Sequence, residues 1–213
     1  MPNSSSSTPA TESYENHPLW EDLRAIPPEK VAERAGATFT LAGDKPVFRV
    51  NFLGGIHEIN LQERAILAPP GYGAPGYQDA VVLLSYLVAS ANGLAPGLSE
   101  KEVGPWGLPL GDFFFKGPHE LAKQPLAEAF GEDPRALFQL AQSLGAEPHH
   151  QNAFRWKVLP FVELYCYLEE GDDEFPAEAR YNFDSHAHYY LPLDAIFAMV
   201  NLVASFLISR KTV

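Results

Sequence analysis

The rhythm of apolar and polar residues changes several times along this chain, and each change marks an element. Over 17–25, Leu19, Trp20 and Leu23 share one side of a short amphipathic helix. Pro27 and Pro28 break it. Pro28 suits the first turn of a second helix that ends at Gly36, with Val31 and Ala35 four apart on its inner side. From 38 to 66 the period becomes two. The runs TFTLAG, KPVFRVNF and IHEINLQER alternate, with Gly43-Asp44 and Gly54-Gly55 as turns. They predict a three-stranded antiparallel meander with one wet face, on which His57 is expected to meet solvent. The run DAVVLLSYLVASAN over 79–92 is apolar on most sides and predicts a buried helix, with Gly93 as a left-handed cap. Residues 94–110 are irregular, and GDFFFK reads as a short extended segment. Two helices follow, over 118–130 and 134–144, the second capped by Asp133.

The densest apolar block runs from 154 to 207. Strands over 154–159 and 162–168, the acidic turn EGDDEFP, a third strand over 177–184, a His- and Tyr-rich corner and a long apolar helix follow one another. That helix is expected to pack on the last three strands. The pattern predicts a single α+β domain over 16–213, with antiparallel sheets covered on one side by helices. The Ser-rich segment 1–15 is expected to be a disordered tail.

Composition narrows the classes of function. With 46% hydrophobic residues the chain buries a real core. A formal charge of −12, without a Lys/Arg cluster, excludes a phosphate backbone and an anionic membrane surface as partners. The N-terminus has neither a basic start nor an apolar run, so it is not a signal peptide. The apolar helix over 193–208 carries Asp194, Asn201 and Ser205 and is shorter than the ~20 residues of a membrane span. A soluble, acidic, cytoplasmic protein is expected. The single cysteine, Cys166, excludes an intramolecular disulfide and an iron–sulfur cluster held by this chain alone. It sits between Tyr165 and Tyr167 with three glutamates nearby, a setting for packing rather than nucleophilic chemistry. Gly71, Gly73 and Gly76 match G-x-G-x-x-G, but prolines precede and interrupt them and no acidic residue falls suitably ~20 residues on. They do not make a dinucleotide cradle.

The run LPFVELYCYLEEGDDEFPAEARYNFD, followed by HYYLP and an apolar helix, resembles the bacterial and archaeal domain of unknown function 3786. PEKVAERAGA, LLSYLVASANG and PLAEAFGEDPRALFQLAQSLG are also similar, so the resemblance covers roughly 19–207. It implies a family found mainly in anaerobes, without an established activity. Some members look fused to a small iron–sulfur domain. This chain departs from them in carrying no cysteine cluster, and the resemblance brings across no catalytic residue or cofactor.

The best local candidate is the corner Asp184, His186, His188 and Tyr189. If it is extended, Asp184, His186 and His188 share one face. They then suit a divalent transition metal or acid–base work near neutral pH. A metal wants further ligands, and His149 and His150 supply one if their link folds over the corner. The alternative is that Asp184 caps the turn while the histidines stack on aromatic neighbours. Glu169–Glu174 is rich in carboxylates but lacks the order of a calcium loop, and reads as a solvated turn. Trp106 is a second binding candidate. Tyr165 with Tyr167, and Tyr181 with Phe183, form an aromatic patch if their faces pair across the hairpin. Ser99 opens SEKE and reads as a helix cap. Two readings of function stand: a non-catalytic binding or accessory module with a protein partner or a homodimer, and a metal- or acid–base-dependent enzyme built on Asp184, His186 and His188.

Overall fold

The computed structural model describes residues 13–43, 45–172 and 174–211. Most of the expected tail lies outside these residues. Its last part is ordered: Tyr14–Asn16 forms a 3-10 turn, and the Tyr14 carbonyl accepts from the Trp20 indole at 2.9 Å. Helices α1 (Leu19–Arg24) and α2 (Pro28–Ala35) follow where the prolines place them, and Gly36 ends α2 with φ 59°.

The first sheet has four antiparallel strands in sequence order, β1 (Thr38–Ala42), β2 (Lys45–Phe52), β3 (Gly55–Asn60) and β4 (Ala65–Leu67). The expected three-stranded meander thus gains a strand, because Asn60 and Glu63 close a turn through the Glu63 N–H and the Asn60 side chain. Register settles His57. It pairs with Val50, between the pairs Phe48–Ile59 and Phe52–Gly55, and so faces the core at 2% exposure. Ile56 takes the wet face instead, 52% exposed. The β2–β3 turn places Leu53 and Gly54 at φ 55° and 80°, and a Cβ on Gly54 would strike the Leu144 carbonyl oxygen. The Leu53 N–H donates to the Val158 carbonyl at 3.0 Å and ties the first sheet to the second.

Helix α3 (Tyr77–Asn92) is buried along most of its length. Gly93 does not cap it in the left-handed region, since its backbone is extended at φ −84°. Arg34 of α2 serves the helix end instead, donating to the carbonyls of Ser90, Gly93 and Leu94. The second sheet has the order β5 (Glu102–Val103), β9 (Glu178–Asp184), β8 (Val162–Glu169), β7 (Ala153–Leu159) and β6 (Glu147–Pro148), all antiparallel. Between β5 and β6 lie α4 (Gly111–Phe114), α5 (Lys123–Phe130) and α6 (Pro134–Ser143). GDFFFK is therefore a helical turn rather than an extended segment, with Phe113 76% exposed. The helix expected over 118–130 is a 3-10 turn at Gly117–His119 followed by α5. Asp133 caps α6 as its position predicts, accepting from the Ala136 N–H.

One hydrophobic core joins the inner faces of both sheets to the helices. The long C-terminal helix α7 (Leu193–Ile208) lies mainly against α3, with α5 and α6 as further neighbours. Toward the strands it reaches with side chains such as Phe206, whose ring lies 6.3 Å from that of Trp156. The described residues form a single α+β domain with two antiparallel sheets. No helix among them is long and apolar enough to cross a membrane.

Candidate functional site

Strand β8 is buried on both sides, and the two sides differ in chemistry. Leu164, Cys166 and Leu168 face the core. There they meet Phe183, Tyr181 and Ala179 of β9. Tyr165 and Tyr167 face outward beside Asn182 and Arg180. The two aromatic pairs therefore lie on opposite faces and form no common patch, because the hairpin register puts Cys166, not Tyr167, across from Tyr181. Burial pushes the Cys166 thiol up, which removes it from nucleophilic chemistry.

The outward tyrosines are covered by a polar lid. His149 and His150, in the turn between β6 and β7, fold over the sheet. The His149 ring lies 4.8 Å from Tyr165 and 4.1 Å from the His150 ring. Glu102 reaches in from β5 and becomes the hub. Its Oε1 accepts from the Tyr167 hydroxyl at 2.8 Å and from the Asn182 amide at 2.5 Å, and its Oε2 lies 2.9 Å from His149 Nε2. Burial pushes the Glu102 carboxyl up, but these hydrogen bonds outweigh it and hold the group below the usual carboxylate range. Burial and donation to Glu102 push the Tyr167 hydroxyl up to about 12. The Arg180 guanidinium stacks over the Tyr167 ring at 4.1 Å.

Beyond Glu102 and Val103 the chain leaves β9. The turn Pro105–Gly107 lifts Trp106 clear of the sheet, 71% exposed. Between this turn and the uncovered stretch of β9 lies a cleft of about 480 Å³. Trp106 and Phe115 supply aromatic surface, Arg180, Lys116 and Lys123 supply cations, and Asp112, Glu120 and Glu178 supply carboxylates. Lys123 is paired with Glu120 at 3.3 Å. Among the described residues, neither Arg180 nor Lys116 has a carboxylate within ion-pair distance.

The corner expected from the sequence is built differently. Ala187–Tyr189 is a 3-10 turn, so Asp184, His186 and His188 do not line up as on a strand. Asp184 is fully buried and accepts from the Ser99, Glu100 and His186 N–H groups and from the Ser99 hydroxyl. Ser99 therefore anchors a loop and caps no helix. His186 Nδ1 contacts the Gly97 carbonyl and His188 Nδ1 the Ser185 carbonyl. Tyr189 lies between both rings, 5.4 and 4.0 Å away. His149 and His150 join Glu102 rather than this corner. Trp106 keeps its place as a cleft residue. Glu102 and Asn182 carried no signal in the sequence. Each is an ordinary polar residue until β5 pairs with β9.

Fold and site together define a two-sheet α+β protein with a polar, aromatic-lined outer face. The chain belongs to the family described as domain of unknown function 3786, whose model matches residues 27–205. No curated protein and no solved structure matches it.

Proposed function

We propose that this chain is a binding module whose ligand is a small organic acid carrying a flat ring, held in the cleft beside β9. The observation that supports it most is the meeting of Trp106 with Arg180 and Lys116 around about 480 Å³ of space, within the range of small-molecule sites. Trp20 and Trp156 are fully buried, whereas Trp106 is 71% exposed. A ring stacked on it removes apolar surface from water on both partners. An acid group then meets Arg180, which Tyr167 holds from behind. The enzyme reading built on Asp184, His186 and His188 has less support, since the carboxylate is taken up by backbone donors.

A protein partner or a second copy would meet the chain at Leu110 and Phe113, exposed apolar neighbours of the cleft turn. We place the acidic chain in the bacterial cytoplasm, which suits its unpaired, buried Cys166. Calorimetric titration with benzoate and indole-3-acetate tests the ligand class. Saturable binding weakened about tenfold or more in Arg180→Ala, the worth of one charge-assisted hydrogen bond, supports it. Absence of binding, or wild-type affinity in both Trp106→Ala and Arg180→Ala, overturns it.

A further inference from the structure

From Glu102, His149 and His150 we infer a divalent metal site on the outer face of the second sheet. Glu102 stands 47 positions before His149 in the chain, and the two are brought together by the pairing of β5 and β6 at opposite edges of one sheet. One ligand atom from each lies within 4.8 Å of the others. The Glu102 Oε2 to His149 Nε2 separation is a hydrogen-bond distance of 2.9 Å, a little short of the about 3.4 Å between ligands of a tetrahedral ion with bonds of 2.0–2.2 Å, so the two atoms part slightly to admit one. His150 completes the set by a side-chain rotation, which its exposure permits.

Support around the ligands is already in place. A ligating carboxylate needs its orientation fixed by a further ring of hydrogen bonds. Tyr167 and Asn182 both donate to Oε1, which leaves Oε2 turned to the histidines. Asn182 is 9% exposed, so the carboxamide that binds Glu102 is itself held in place by burial. Two imidazoles and one carboxylate select a first-row transition ion such as Zn²⁺ or Co²⁺ over Mg²⁺ or Ca²⁺, which prefer oxygen alone. Three protein ligands leave a position open to solvent, as in sites where a metal binds a further molecule.

The full chain, freed of metal by dialysis against a chelator, is titrated with Zn²⁺ and with Co²⁺. One equivalent of each binds, and Co²⁺ gives the intense visible bands of a low-coordinate site. Affinity falls tenfold or more in Glu102→Gln and in His150→Ala. It falls about tenfold in Tyr167→Phe, which touches no ion but frees the carboxylate. The double variant His186→Ala, His188→Ala binds as the wild type does. Trp106→Ala also binds normally, which separates this site from the organic-acid cleft. His150 is exposed and Glu102→Gln keeps the side-chain shape, so both variants fold; thermal unfolding checks that. No stoichiometric binding by the wild-type chain, or equal binding by His150→Ala, overturns the inference, as does loss of binding only in the His186/His188 double variant.

Discussion

His57 is a titratable ring wedged between aromatic neighbours, with Phe52 at 5.3 Å and Tyr72 at 5.5 Å. Burial lowers its pKa below 6.5, against the raising effect of the Gly55 carbonyl and of Asp79. The sign follows directly. The unfolded chain takes up the proton first, so stability is lost as pH falls below about 6.5 and levels off below the folded value. Asp79 is shifted upward by burial and acts with opposite slope in the carboxylate range. Urea unfolding from neutral to mildly acid pH should therefore show a falling midpoint that flattens in His57→Gln; an unchanged slope refutes the assignment. Asp184 calls for a different test. Asp184→Ala leaves several buried donors without an acceptor and should cost about 3 kcal/mol, whereas His186→Ala should cost under about 1 kcal/mol. Equal losses would return Asp184 to the status of a site residue. The misplacement of His57 has a plain cause: in IHEINL, Ile56 marks one phase of the strand while Ile59 and Leu61 share the phase of His57, and reading the strand from Ile56 moves every side chain to the other face. Pairing with Val50 confirms the phase of Ile59 and Leu61.

Several elements were legible from a punctuating residue, though Pro118 and Gly93 misled. The prolines before α2, Asp133 before α6 and the Gly54 turn all sit where the sequence puts them. Gly54 carries two demands at once, a left-handed backbone and close approach to Leu144. Gly54→Ala should thus destabilise the domain by about 2 kcal/mol or more, read from the urea midpoint; a neutral effect would mean the β2–β3 turn does not rest on the end of α6. Elements set by tertiary pairing stayed hidden. Strands β4, β5 and β6 have three, two and two residues, too few for any periodicity. Helix α7 was visible as an element, but its apolar surface is too broad to say that α3 is its main neighbour. Buried Met199 and flanking Phe206 separate these views. Met199→Asp should unfold the domain by burying an unpaired charge. Phe206→Asp should cost less, because the Arg210 guanidinium that now lies 3.5 Å from that ring can meet the new carboxylate. Equal losses in thermal stability would contradict this placement.

Across the whole molecule, the two sheets share one core yet differ in what they show to solvent. The first turns out Arg49 and Glu58, an ordinary ion pair at 2.7 Å. The second turns out a network in which Glu102, His149, Tyr167 and Asn182 converge from four strands or turns, with Arg180 linking it to the cleft at Trp106. The fold class was readable from periodicity because it depends on many residues at once. The site was not, because its hub is a lone glutamate whose partners lie 47 to 80 residues away. The sequence could single out His149 and His150 as a pair, and Trp106 as an aromatic between Pro105 and Gly107, but not the strand pairing that gives them a common face. The central claim is that this outer face, and not the Asp184–Tyr189 corner, does the binding. Amide chemical-shift mapping of the metal-free chain during Zn²⁺ addition tests it most directly. Shifts should concentrate at Glu102, His149, His150, Tyr167 and Asn182 while His186 and His188 stay still; shifts centred on His186 and His188, or none at all, would contradict it.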